Sequence, residues 1–340
     1  MKLLLIGGTR FLGRHIAQQA LDAGHRLTLL HRGRSNTTLF PQAEHRIGDR
    51  DGDLSVLQVG EWDVAIDTCG YFPRQVRRMA EVLAGRVGRY HFVSSISAYA
   101  GFTAPGTAED APLAQLADPG IEVVNGETYG GLKALCEAAA MQGFEGRCLV
   151  SRPGLIVGPH DPTGRFSWWV QRFARARPGE EVLQPGPPES PAQFIDARDL
   201  AAWHLHQAET GGTGIFNLTG PAQALTLGTL FATLRDTLSP QATPVWVDES
   251  YLLEQGVAPW SDLPVWLPRD QAALHQVSIA RALAAGLVTR PLVQTVTDTA
   301  AWLQEQTTLS ADKVSADTPK RPSVGLSPER EVALLARRPR

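Results

Sequence analysis

The first half of the chain alternates short, unbroken apolar runs with longer segments whose apolar residues recur every three or four positions. Leu3 to Ile6, Arg26 to Leu30, Asp63 to Asp67, Tyr90 to Ser94 and Cys148 to Arg152 have the length and content of buried strands. Between the first two, Arg14 to Ala23 sets Ile16, Ala17, Ala20 and Leu21 on one helical face and stops at Gly24. Further helices are expected from about Arg74 to Leu83 and from Thr128 to Met141. Strands that alternate with helices connect by right-handed crossovers into a parallel sheet covered on both faces. The expectation is an α/β protein, a Rossmann-type doubly wound parallel sheet with a smaller C-terminal substrate-binding lobe.

After about Pro159 the texture changes. Prolines and tryptophans accumulate, among them Trp168, Trp169, Pro185, Pro187, Trp246, Trp260 and Trp266. The run Gln193 to Leu200 is an exception, a strand feeding a helix, and is expected to return to the main domain. The division expected is therefore discontinuous. Residues 1–158 and about 192–218 make a dinucleotide-binding domain, and about 159–191 and 219–307 a substrate-binding lobe. Residues 308–340 make a polar linker and a short last helix, with Ser327 as its cap and Pro328 at its first position.

Composition narrows the chemistry. The chain has 340 residues, 43% hydrophobic and 20% charged, with a net charge of -3. There is no bulk electrostatic pull toward nucleic acid or anionic lipid, and neither is expected as a partner. The three cysteines, Cys69, Cys136 and Cys148, lack zinc-ligand spacing, so no metal is expected and a reducing, cytoplasmic setting is. The apolar start is too short for a secretory signal and reads as a strand, and no run is long enough to span a membrane.

The turn after the first strand, Gly7-Gly8-Thr9-Arg10-Phe11-Leu12-Gly13, lies between strand and helix, the setting in which a glycine-rich turn binds a dinucleotide. Gly7 permits the tight turn, Gly13 lets helix and strand approach, and the backbone from Thr9 through Leu12 opens the helix toward a pyrophosphate. The second strand ends in His31-Arg32-Gly33-Arg34, where NAD sites usually place an acid. Guanidinium groups there suit a 2′-phosphate, so NADP(H) is favoured over NAD(H), with Arg10, Arg32 and Arg34 as its contacts. Asp49 is a candidate for the adenine amino group. Cys69 and Gly70, at the end of the next strand, should pass beside the cofactor.

Tyr129 and Lys133 stand four residues apart on one helical face. An ammonium beside a phenol lowers its pKa and makes it an acid or base near neutral pH. The fourth of the runs above ends in Ser94-Ser95, and a hydroxyl at the carboxyl end of a parallel strand can donate to a substrate carbonyl.

In order along the chain, Gly7 to Gly13, Ser94-Ser95 before Ala98-Tyr99, Tyr129-x-x-x-Lys133, Arg152-Pro153-x-x-x-Val157-Gly158-Pro159 and Phe194-Ile195-Asp196-x-x-Asp199 resemble the extended short-chain dehydrogenase/reductase family, also called the NAD-dependent epimerase/dehydratase family. The resemblance covers roughly residues 1–305. It implies that Ser95, chosen by its spacing to Tyr99 with Ser94 as the alternative, polarises a carbonyl, that Tyr129 exchanges its proton, and that Lys133 tunes Tyr129 and holds the nicotinamide ribose. It also implies that Pro153 lies near the carboxamide and that homodimers are usual.

Three departures refine it. Arg10 replaces the middle glycine, as in atypical members, some of which lack the Tyr/Lys pair and bind RNA. Ile96-Ser97 follows Ser95 where dehydratases carry Asp-Glu, which argues against dehydration. Leu155 stands where sugar-nucleotide members carry a phosphate-binding Asn. The expected activity is an NADPH-using reduction of a small-molecule carbonyl through Ser95, Tyr129 and Lys133. The alternatives are an NAD-dependent nucleotide-sugar epimerase and, from another class, a non-catalytic nucleotide- or RNA-binding relative. Trp168 and Trp169 are candidate substrate contacts, with the lobe's own core as the competing role.

Overall fold

A computed structural model describes residues 1–312 and 324–339. The chain forms two compact units, one made of Met1–Leu155, Ala197–Thr219 and Val277–Val288, the other of Ile156–Asp196, Gly220–Gln276 and Thr289–Arg340.

The first unit is built on a parallel sheet. Its strands are β1 (Lys2–Ile6), β2 (Arg26–His31), β3 (Glu44–Ile47), β4 (Trp62–Asp67), β5 (Val87–Val93) and β6 (Cys148–Pro153), joined by Gly214–Leu218. From one edge the order is Gly214–Leu218, β6, β5, β4, β1, β2, β3, a 7-stranded sheet. The central strand β1 sets Leu5 opposite Leu29 on one side and Ile66 on the other. Its apolar residues are sealed on both faces, the burial that an unbroken apolar run requires. Helices α2 (Pro73–Val82) and α3 (Tyr129–Gly143) pack together, and Val76, Met79, Cys136 and Ala140 join Leu4, Ile6, Tyr90 and Phe92 in one core. Helix α1 (Phe11–Asp22) pairs with the helix Ala197–Thr210. The doubly wound parallel architecture read from the sequence is present. Strand β3 had no counterpart in that reading, and the strand Phe194–Asp196 belongs to the second unit while the helix after it belongs to the first.

In the second unit the helices Arg165–Ala174, Leu227–Leu238 and Leu292–Asp312 pack on one another beside a parallel strand pair, Glu181–Pro185 and Thr243–Val247. Helix Leu292–Asp312 continues past residue 308, where a linker is expected; residues 313–323 of that stretch lie outside the described residues. The last helix, Pro328–Arg337, is capped by the Ser327 hydroxyl, which accepts from the Arg330 N–H. It is anchored through Glu331, whose buried carboxylate accepts from Arg172 Nε at 2.6 Å and from the Leu183 N–H at 3.0 Å. Among the described residues no helix is long and apolar enough to cross a membrane.

Candidate active site

The glycine turn joins β1 to α1. Gly7 has φ +96°, and a Cβ there would lie 2.7 Å from the Thr68 hydroxyl. At Gly13 a Cβ would overlap the Gly7 carbonyl, so only glycine lets α1 come this close to the strand end. Arg10 is the N-cap of α1 but offers no capping acceptor, and the first turn holds no acid. The leading N–H groups are thus unclaimed by side chains, as an anion site at a helix start requires. Thr9 and Leu12 are buried beneath the turn, the Thr9 carbonyl accepts from Asn36 Nδ2 at 2.9 Å, and Phe11 adopts φ +36°. These residues fit a dinucleotide pyrophosphate.

At the end of β2 the backbone folds over His31. Its ring meets His45 at 2.9 Å and accepts from the Gly33 N–H at 3.1 Å. Burial and the nearby His45 hold the imidazole pKa below its usual value. Arg32 and Arg34 project into solvent. Asp49 is half-buried in a turn, where it accepts from the Asp51 N–H at 3.1 Å.

Beneath the end of β4 lies a buried polar group. Asp67 accepts from Arg50 Nη2 and from the Tyr90 hydroxyl, each at 2.6 Å, and from the Cys69 N–H at 3.0 Å. Burial alone would raise the Asp67 carboxyl, but the Arg50 guanidinium and these hydrogen bonds hold it below the usual carboxylate range. The Cys69-Gly70 turn is fixed by this group. A Cβ on Gly70 would lie 2.6 Å from the Phe92 ring. Burial pushes the Cys69 thiol up to about 11, which makes it an inert filler.

Ser95 and Tyr129 are brought together. The Ser95 hydroxyl is an electrostatic neighbour of the Tyr129 phenol; it donates to the Ser97 hydroxyl at 3.1 Å and accepts from the Ser97 N–H at 3.1 Å. Ser94 is buried, and its hydroxyl has no partner among the described residues, so Ser95 is the hydroxyl the site presents. Lys133 turns elsewhere. Its buried ammonium donates to the Gly70 carbonyl at 3.0 Å and the Val93 carbonyl at 2.8 Å, under the rings of Phe92 and Tyr71. Burial lowers its pKa, and the acidic side chains around it, Cys136, Asp67 and Glu137, offset part of that. The expectation that the ammonium acidifies Tyr129 is corrected for this state. Burial and the neighbouring Tyr71 push the phenol up to about 12, against the opposing pull of the Ser95 hydroxyl. The reason is geometric, because the lysine spends two of its three N–H donors on main-chain carbonyls.

Two features behind the site escaped the sequence reading. A Cβ on Gly130 would overlap the Ser97 carbonyl, whereas one on Gly131 would meet only the Leu116 side chain, at 2.5 Å. Gly130 is what allows α3 to start against the Ser95–Ser97 loop. Its signal was a Gly-Gly pair inside a helical pattern, where each glycine costs about 1 kcal/mol relative to Ala. Two turns on, buried Glu137 takes Arg152 Nη2 at 2.6 Å and Nε at 3.0 Å, which ties α3 to β6. Pro153 ends β6, buried and in register with Leu218. In the second unit, Trp169 is corrected from a substrate contact to a core residue. It is fully buried, 4.5 Å from the Phe231 ring, and donates to the Pro264 carbonyl. Trp168 packs edge-on to Trp169 and against Gly325, which has no room for a Cβ.

No family model matches the chain. It is 27% identical over 239 residues to the chloroplast stem-loop binding protein of 41 kDa b of Arabidopsis thaliana, a match covering 64% of this chain and 58% of that relative. Solved structures share the fold. UDP-glucose 4-epimerase of Thermotoga maritima, determined with UDP-glucose, has a TM-score of 0.65 at 17% identity, over 90% of this chain and 100% of that one. UDP-glucuronic acid 4-epimerase of Bacillus cereus, determined in complex with NAD, has a TM-score of 0.63 at 16% identity, over 90% and 97%. The chain therefore has the fold of these epimerases. The preference for NADP(H) is corrected by this comparison, since the UDP-glucuronic acid 4-epimerase structures were determined with NAD. The physical reason is that Arg32 and Arg34 stand in open solvent, so the basic pair does not form a built phosphate pocket.

Proposed function

We propose that the chain is an NAD(H)-dependent epimerase acting on a carbinol carbon of a nucleotide-linked sugar. The observation that carries this reading is the Ser95–Tyr129 hydroxyl pair next to buried Lys133, at the carboxyl edge of the same sheet whose β1–α1 turn leaves a helix start open to an anion. Gly7, Gly13 and the α1 N–H groups would hold the pyrophosphate, and Lys133 the nicotinamide ribose. When bound, the nicotinamide supplies a hydride acceptor and donor. Ser95 orients the reacting oxygen and donates to it as it becomes a carbonyl. Tyr129 takes the hydroxyl proton and gives it back, so that acid and base are one group and the sugar leaves with no net oxidation. A ribose that drew Lys133 off its carbonyls would bring the ammonium toward Tyr129 and lower the phenol's pKa from about 12.

The test is incubation with NAD and a panel of UDP-, GDP- and dTDP-sugars, with epimers separated by chromatography. An epimer that forms without net change in absorbance at 340 nm is expected, and Tyr129→Phe should abolish it while still binding NADH. Absence of any epimer across the panel would reject the reading. The name of the Arabidopsis relative supports a second reading, RNA binding. Stem-loop RNA retained equally by the wild type and Tyr129→Phe, with no NADH binding, would favour it.

A further inference from the structure

Tyr71 belongs to none of the roles above, yet it stands among the site's reactive groups. It follows Gly70 at the carboxyl end of β4, and its backbone is pinned. The Tyr71 and Phe72 N–H groups both donate to Gln75 Oε1, at 3.2 and 3.3 Å, and Gln75 Nε2 donates in turn to both Asp51 oxygens, at 3.0 and 2.9 Å. Arg74, next to Gln75, bridges Asp51 and Glu122, so the start of α2 is clamped on two sides. The side chain is nonetheless 44% exposed, and its hydroxyl has no hydrogen-bond partner among the described residues.

The surroundings of this phenol are specific. Its ring lies 5.5 Å from the Lys133 ammonium. The turn that leads into it packs against the glycine turn, where Thr68 Oγ1 and Cys69 Sγ leave Gly7 no room for a Cβ, and the Tyr129 phenol and the Arg10 guanidinium are among its electrostatic neighbours. Tyr71 therefore follows the turn that borders the helix start suited to a diphosphate, with its ring beside the lysine suited to the ribose. A phenol donates well to an anionic oxygen, and a rigidly held backbone lets it do so with little loss of freedom.

We propose that Tyr71 is a further dinucleotide-binding residue, its hydroxyl donating to a diphosphate oxygen while its ring shields Lys133 from water. This rests on the reading of the site as a dinucleotide site, and not on the sugar chemistry.

The experiment is calorimetric titration of wild type, Tyr71→Phe and Tyr71→Ala with NADH, ADP-ribose and AMP. Melting temperatures serve as the control for folding, which an exposed side chain should leave unchanged. Loss of one hydrogen bond to a charged group should weaken NADH and ADP-ribose about tenfold in Tyr71→Phe. AMP, which lacks the diphosphate, should bind all three proteins alike. Tyr71→Ala, which also uncovers Lys133, should lose more. A Tyr71→Phe protein that binds ADP-ribose like the wild type overturns the proposal, as does an equal loss for AMP. Wild type that binds neither NADH nor ADP-ribose would overturn this inference and the dinucleotide site together. Intact NADH binding without epimerisation would sink the sugar chemistry alone.

Discussion

Gly130→Ala isolates the link between packing and chemistry. The added Cβ would overlap the Ser97 main-chain carbonyl, which cannot rotate away as a side chain can. A carbon needs roughly 3.3 Å from a carbonyl oxygen, so the start of α3 must retreat by about 1 Å. Tyr129 is the preceding residue and Ser97 is two residues past Ser95, so the retreat moves the Tyr129 phenol away from the Ser95 hydroxyl directly. A misplacement of about 1 Å costs on the order of a hundredfold in rate. Stability should change less, because alanine regains about 1 kcal/mol of helix propensity against the clash. The assay is turnover of whichever sugar nucleotide the wild type epimerises, alongside NADH affinity and melting temperature. Turnover should fall about a hundredfold while NADH binds within a few-fold of wild type. Gly131→Ala is the control: its Cβ meets only the flexible Leu116 side chain, and turnover should stay within a few-fold. Gly130→Ala with wild-type turnover, or the two variants equally impaired, would refute the reasoning.

Three further outcomes follow from buried groups. Asp67→Asn leaves the Arg50 charge buried without its counter-ion and should lower unfolding free energy by about 3–5 kcal/mol in urea titrations at pH 7. Because the folded carboxyl titrates below its unfolded value, its contribution is present above about pH 4 and fades as the pH falls through the lowered folded pKa, so wild type and variant should converge in acid. His91 and His204 are fully buried, His204 at a pKa of about 3 and His91 well below its usual value, both chiefly by burial. Protons then bind the unfolded chain preferentially, so stability should fall as the pH drops below about 6.5, by up to ~1.4 kcal/mol per pH unit per histidine. A His91→Leu protein should show a shallower fall between pH 7.5 and 5.5, and an unchanged slope would count against the account. Glu331→Ala strands the Leu183 N–H and removes one of two carboxylates from buried Arg172, which keeps Glu180 at 3.0 Å, and should cost about 1–3 kcal/mol, read as an earlier unfolding transition.

Local pattern alone determined the parallel sheet, the glycine turn and the candidate hydroxyl, phenol and ammonium. Apolar runs, helical spacing and turn glycines are properties of a few consecutive residues, and they read through without a partner in space. Strand β3 was illegible because Glu-His-Arg-Ile is a polar edge segment, with Ile47 exposed, and only pairing with β2 makes it a strand. The charge sign after β2 suggested the wrong cofactor because it counts arginines without showing that they stand in open solvent. Tertiary structure decided the rest. It sent Lys133 to the Gly70 and Val93 carbonyls, made Gly130 a spacer against Ser97, buried Trp169 in a core, and set the Tyr71 ring beside the Lys133 ammonium. Each of these depends on which distant segments share a volume, and a close-packed interior settles that only when the whole chain competes for the same space.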